Sequence, residues 1–197
     1  MNDSERADKA DILELLNYER FCRDNAVWDG MRTCYAEDSF VDISWYQGSG
    51  YGFVTASEKF NTYAPHVIHS SLTWLNGNRA VTIMMATVQM RQNVDDVECE
   101  LSTDVQLLFR TEKINDKWFI KNFESIYLQD RLIPILPASE LSLKRSELAK
   151  YRSSYACMSY IAEKKGIKIN KELAGIDRPE TVKAIYEKLS SWLAGQE

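Results

Sequence analysis

The sequence predicts an α+β domain, with helices gathered on one face of a curved antiparallel sheet, followed by a pair of C-terminal helices. Three observations carry this expectation. Apolar residues first recur at helical spacing, broken by one alternating run, and then change to long β-rich alternation from His66 onward. Two turn signals, Asn76-Gly77 and "NDK", join those β-rich runs as hairpins. Prolines 134 and 137 punctuate "RLIPILPAS", after which helical spacing returns.

Each element has its own signature. "ADKADILELLNYERFCRD" places Ile12, Leu15, Leu16 and Cys22, with Leu13, Tyr18 and Phe21, on a wide apolar arc, which predicts a helix packed on more than one side. "NAVWDGMRTCY" carries Trp28, Met31 and Tyr35 at i, i+3 and i+7, a short second helix. "SFVDISW" alternates as a strand. "YQGSGYGF" lacks phosphate-binding spacing and reads as a structural glycine loop. Thr55 with Glu58 predicts a capping-box start for the third helix. In the tail, "ELSLKRSELAKYRSSYACMSYIAEKKG" has Tyr151, Tyr155, Met158 and Ala162 at helical spacing. "DRPETVKAIYEKLSSWLAG" has Asp177 as N-cap, an apolar stripe of Val182, Ile185, Leu189 and Trp192, and Gly195 as a stop. The expected organisation is a main domain at 1–137 and a helical extension at 138–197, packed on that domain or on a partner protomer.

Composition narrows the function classes. The 197 residues are 45% hydrophobic and 27% charged, with net charge -5. Residues 1–137 carry 13 Lys/Arg against 21 Asp/Glu, and residues 138–197 carry 11 against 8. An acidic main domain argues against nucleic acid, and an excess of three cations in the tail makes no basic patch. No run reaches transmembrane length and no apolar signal core opens the chain, so no membrane association is expected. Cys22, Cys34, Cys99 and Cys157 are scattered, which predicts reduced thiols and a cytoplasmic protein.

Both histidines lie in "APHVIHSS". If the segment is extended from His66, residues of opposite parity point to opposite faces, so His66 and His69 diverge and share no metal. No cofactor or metal is expected. A neutral histidine becomes an effective base when a carboxylate fixes its tautomer. Asp24, ending the first helix in an apolar neighbourhood, is a candidate partner, and capping of the next helix is an equally good local reading.

The order "YERFCRDNAVWDGMRTCYAEDSFVDISW", "PHVIHSSLTWLNGNRA", "FRTEKINDKWFI" resembles the SnoaL-like group of the nuclear transport factor 2-like superfamily, over roughly residues 8–130. The resemblance implies a cone-shaped α+β barrel: three N-terminal helices over a strongly curved antiparallel sheet, with a deep apolar pocket. It also implies a homodimer or higher homo-oligomer built through the sheet. Several enzymes of the superfamily pair an Asp from the end of helix one with a His from the strand after helix three. Scytalone dehydratase, bile acid 7α-dehydratase and hexachlorocyclohexane dehydrochlorinase are examples. By motif position Asp24 matches the Asp, and His66 rather than His69 matches the His. Met90 stands where scytalone dehydratase has a second pocket histidine, and Arg23 and Ile43 where it has two tyrosines. Tyr18, Tyr35, Trp45 and Tyr46 stand close enough in sequence to replace those polar contacts. Aligned parity turns Met84, Ala86, Val88, Met90, Leu101, Thr103, Val105 and Leu107 to the pocket. Gln89, Arg91, Asp104, Gln106 and Arg110 then face solvent or a second protomer. The tail resembles extensions on uncharacterised bacterial SnoaL-like proteins, which suggests a bacterial source.

Two function classes follow, with a third behind them. One is a cofactor-independent lyase or isomerase, in which His66 and Asp24 abstract a proton from an apolar small molecule. Tyr18, Tyr35, Trp45, Met84, Met90, Thr103 and Val105 are its expected pocket residues. The alternative is a small-molecule-binding or assembly module of the same fold without turnover. The small subunit of a ring-hydroxylating dioxygenase shares the cone but fits the helical tail poorly.

Overall fold

The computed structural model of the protein describes residues 1–60 and 62–196. Helix α1 (Asp3–Asp24) opens on an Asn2–Glu5 capping box and is followed by the short α2 (Trp28–Arg32). Strands β1 (Tyr35–Ile43) and β2 (Tyr46–Ser49) lead into α3 (Gly50–Phe60). Four long strands then meander: β3 (His66–Asn76), β4 (Arg79–Val94), β5 (Val97–Ile114) and β6 (Lys117–Pro134). The tail holds α4 (Arg145–Leu148), a 3₁₀ turn at Ser153–Tyr155, α5 (Ala156–Lys164), β7 (Ala174–Gly175) and α6 (Pro179–Leu193).

The α+β class holds, with two corrections to the sheet. Its order is β2-β1-β6-β5-β4-β3, with β7 beside β6. It is mixed rather than antiparallel, because β1 and β7 both run parallel to β6. It also stays open, so the barrel is not closed. Bulges at Ile68/Ser70, Asp104/Val105 and Arg110/Thr111 bend the long strands, which makes the face toward α1 concave.

Three local expectations also change. The glycine loop is not a loop: it forms β2 and the first turn of α3. Gly50 lies against Tyr35 and Ser39, where any Cβ would collide, so the glycine lets α3 pack closely on β1. Thr55 is consequently inside the helix, its hydroxyl donating to the Tyr51 carbonyl, and caps nothing. The expected long tail helix is broken. Arg152 donates to both oxygens of Asp177 (3.0 and 2.6 Å) and to the Leu173 carbonyl (2.5 Å). Asp177 is thereby used to tie the tail together, and α6 takes Arg178 as N-cap with Pro179 at its first position.

The tail packs on its own domain at two places. Helix α5 lays Cys157, Tyr160 and Ile161 on Val94, Cys99 and Leu101. It is pinned where the Met158 N–H donates to Asp130 Oδ2 (2.7 Å). Helix α6 lays Leu189 and Trp192 on Val81, Leu108 and Ile126 of the outer, convex face. That face is therefore partly covered: α6 takes Gln106 and Arg110 out of the set expected at solvent or a second protomer, while Arg91 stays exposed. Gln106 accepts a bond from the Tyr186 hydroxyl (2.5 Å), and Arg110 lies buried under the Trp192 ring (5.6 Å). Among the described residues no helix is long and apolar enough to cross a membrane.

Candidate functional site

The inward stripe of α1 begins with Ile12 and Leu16 and continues at the same spacing with Glu19 and Arg20, all buried. The helical period that buries the apolar residues therefore carries an ion pair into the concave face. Arg20 grips Glu19 through Nε to Oε2 (2.5 Å) and Nη2 to Oε1 (2.6 Å), a bidentate pair. The Tyr35 hydroxyl donates to Glu19 Oε1 (2.8 Å), and the guanidinium lies over the Phe123 ring (4.8 Å).

Asp24 is the last residue of α1, and His66 is the first residue of β3. Asp24 Oδ2 accepts the His66 backbone N–H (2.8 Å), and Oδ1 lies 2.8 Å from His66 Nδ1. His66 Nε2 stands 3.3 Å from Arg20 Nη1. A guanidinium can only donate, so Nε2 must accept, which leaves the ring proton on Nδ1, donated to Asp24. The imidazole is thus neutral, with its basic nitrogen held beside a cation.

The electrostatics agree. Burial lowers the His66 pKa below its ordinary value; Asp24 opposes this, while Arg20 and Arg23 reinforce it. Burial would raise the Asp24 pKa, but its bonds to His66, helped by Arg20, more than reverse that, and Asp24 stays ionised. Burial disfavours the charge on Arg20, yet Glu19 outweighs it and Arg20 stays protonated.

Beside His66 and Arg20 lies a cavity of about 150 Å³. Its sheet wall is Val88, Met90, Leu101, Thr103, Val105 and Leu107, with Phe123, Ser125 and Tyr127 of β6. Trp45, Phe53 and Phe60 form an aromatic side, with Trp45 stacked on Phe60. Met158, Ile161 and Ala162 of α5, followed by Lys165, Ile167 and Ile169, complete the wall. Arg23 also lines it, its Nη1 donating to the Thr62 carbonyl (3.2 Å).

The residues expected at the pocket divide accordingly. Trp45, Met90, Thr103 and Val105 line the cavity, as do His66 and two arginines of α1, Arg20 and Arg23. Three expected residues do not. Tyr18 lies two positions from Arg20 on the helix, turns away from the sheet and is 42% exposed. Tyr35 is buried beneath the Glu19–Arg20 pair, where its hydroxyl is already used. Met84 sits in the filled core, four residues along β4 from Val88. His69 falls at the β3 bulge and bonds Thr87 Oγ1 (2.8 Å), away from His66. Glu19, Arg20 and the α5 residues were not singled out from sequence. The charged pair inside the apolar stripe "LLNYERFCRD" was the available signal for the first two.

No protein-family model matches the chain. Pea pathogenicity protein 2 of Fusarium vanettenii is 27% identical over 208 residues, covering 99% of this chain and 89% of that protein. A PEP2-like protein of the same fungus is 26% identical, covering 89% and 81%. Both relatives are fungal, and the match to the first runs over the C-terminal helices, so the suggested bacterial source is not supported. Among solved structures, a type 2 hexachlorocyclohexane dehydrochlorinase (LinA) superposes with TM-score 0.60 at 11% identity, covering 72% of this chain and 100% of that one. A candidate scytalone dehydratase from Novosphingobium aromaticivorans gives 0.57 at 13%, covering 74% and 100%. The chain thus has the open cone fold of the scytalone dehydratase-like and dehydrochlorinase structures, the fold that the SnoaL-like resemblance implies.

Proposed function

We propose that the cavity is the active site of a cofactor-independent lyase or isomerase. His66 Nε2 takes a proton from a ligand carbon next to an electron-withdrawing group. Asp24 fixes the tautomer and stabilises the imidazolium that forms. Arg20 Nη1, beside the same nitrogen, stabilises negative charge developing on the ligand or on a departing group. One observation carries this reading: a buried, neutral histidine, held by a carboxylate at 2.8 Å, adjoins a cavity with room for a single-ring molecule. The names of the two structural neighbours, a dehydratase and a dehydrochlorinase, favour elimination over other proton transfers.

A second reading is a binding module that holds an apolar ligand without turnover. The sparse polar lining favours it: among the described residues, and apart from His66, its uncharged side-chain donors are Trp45 and the hydroxyls of Ser44, Thr62, Thr103, Ser125 and Tyr127. The Tyr127 hydroxyl oxygen accepts the Ser44 N–H (3.0 Å), which leaves its own proton to donate.

Single-ring β-hydroxyketones such as 3-hydroxycyclohexanone test the two readings. Loss of water gives a conjugated enone, read by absorbance. Solvent deuterium entering next to the carbonyl reads proton abstraction alone. His66→Gln is expected to lower the rate by about 10²–10⁴-fold, the usual worth of a positioned acid–base group, with the fold kept. Equal rates in wild type and variant sink the enzyme reading. Ligand binding without turnover in either protein favours the module.

A further inference from the structure

The cavity is electrically one-sided. Its charged lining residues, among those described, are Arg20, Arg23 and Lys165, all cations. The matching carboxylates, Glu19 and Asp24, sit behind the wall and do not line it. Two ion pairs therefore present their positive ends to an otherwise apolar chamber.

The arginines differ in what they have left to give. Arg20 uses Nε and Nη2 on Glu19 and aims Nη1 at His66. Arg23 uses Nη1 on the Thr62 carbonyl. Its carboxylate neighbour, Asp24, stands 3.8 Å away with both oxygens already bonded to His66. The remaining N–H groups of Arg23 meet no acceptor among the described residues, on a side chain only 10% exposed. A largely buried guanidinium whose spare donors are reachable at the cavity wall is placed to receive an anionic acceptor.

We infer that the cavity takes an apolar molecule bearing one carboxylate, and that Arg23 receives that carboxylate while the hydrocarbon body lies against Trp45, Phe60 and the sheet. The inference rests on the reading of this cavity as the ligand site and names its ligand class. It does not require turnover. Arg23 is a specificity residue here, one helical turn from the Arg20–His66 contact, so an anchored acid would hold its carbon body near Nε2.

The test is a matched pair, 4-methylbenzoate and 4-methylbenzamide, of the same shape with and without charge. Affinities are read by chemical-shift titration of the full chain. The acid is expected to bind wild type at least about tenfold more tightly than the amide, the worth of one charge-assisted hydrogen bond. Arg23→Gln should bring the two affinities together, and Arg23→Lys should restore part of the preference. Equal affinities in wild type, binding of neither, or a preference that survives Arg23→Gln overturns the inference. The wild-type comparison stands even if a variant fails to fold. A deuterium exchange rate that depends on His66 without any acid preference would leave the proposed reaction and remove this ligand class. An acid preference without exchange would do the reverse.

Discussion

Two buried arginine–glutamate pairs sit on opposite faces of one strand. Phe123 of β6 points inward beneath Arg20, and its neighbour Glu124 points outward to Arg110. The inner pair is Arg20 with Glu19, over the Phe123 ring at 4.8 Å. The outer pair is Arg110 Nη2 with Glu124 Oε2 (3.3 Å), under the Trp192 ring at 5.6 Å. Both have a third member: the Tyr35 hydroxyl inside and Lys188 Nζ (2.8 Å) outside. The components are nearly the same and the outcomes differ. Outside, α6 fills the space with Leu189 and Trp192. Inside, a histidine and a cavity adjoin the guanidinium. A buried ion pair becomes a candidate site through the room left beside it, not through burial.

The largest test of this contrast removes one arginine from each pair. Arg20→Met strands Glu19, which is fully buried and keeps, among the described residues, only the Tyr35 hydroxyl, and should cost about 3–5 kcal/mol in urea denaturation. Arg110→Met leaves Glu124 with Lys188 and should cost clearly less. Equal losses would erase the distinction between the faces.

A methylene added on each face gives a smaller effect. Val81 is packed under α6, so Val81→Leu should cost about 1–3 kcal/mol as an overpacked core. Val105 borders the cavity, so Val105→Leu should change stability little while weakening binding of small aromatic probes. Similar losses at both positions would mean that the inner space is unavailable.

The smallest effect is a tilt with pH. The folded-state pKa of His66 lies below its unfolded value, about 6.5, so the unfolded chain binds more protons between the two values. Stability should therefore fall as pH drops below about 6.5 and continue to fall down to the folded-state value. Asp24 is also lowered, so its contribution is complete above the ordinary carboxylate value and is lost as pH falls through its folded one. His66→Gln should flatten the upper window, and Val81→Leu should shift the level without altering the slope. A slope unchanged in His66→Gln would mean that the ring is not held neutral.

The sequence was most legible where one period governed a long segment. The β3–β6 meander and α1 followed from alternation and helical spacing, and strand parity separated His66 from His69. The tail was less legible, because Asp177 and Arg152, 25 residues apart, meet only after folding and break the helix that local spacing implies. The parallel placement of β1 beside β6 is equally non-local. At the site, Met90, Thr103 and Val105 could be placed by aligned parity, and Trp45 by nearness in sequence alone. Tyr18 was misplaced because nearness in sequence ignores that two residues on a helix face nearly opposite ways. Glu19 and Arg20 were passed over because charges on a helix are ordinarily solvated.

One carboxylate bears on how such a protein could change over generations. Asp24 ties down the first amide of β3 as well as the ring of His66. A descendant lineage released from any demand for chemistry could exchange the imidazole for many side chains and still keep that amide satisfied. It could not exchange the aspartate so cheaply. Among relatives, an aspartate at this place opposite a residue other than histidine would then mark an inherited scaffold whose chemistry had lapsed. The reverse combination should be rare.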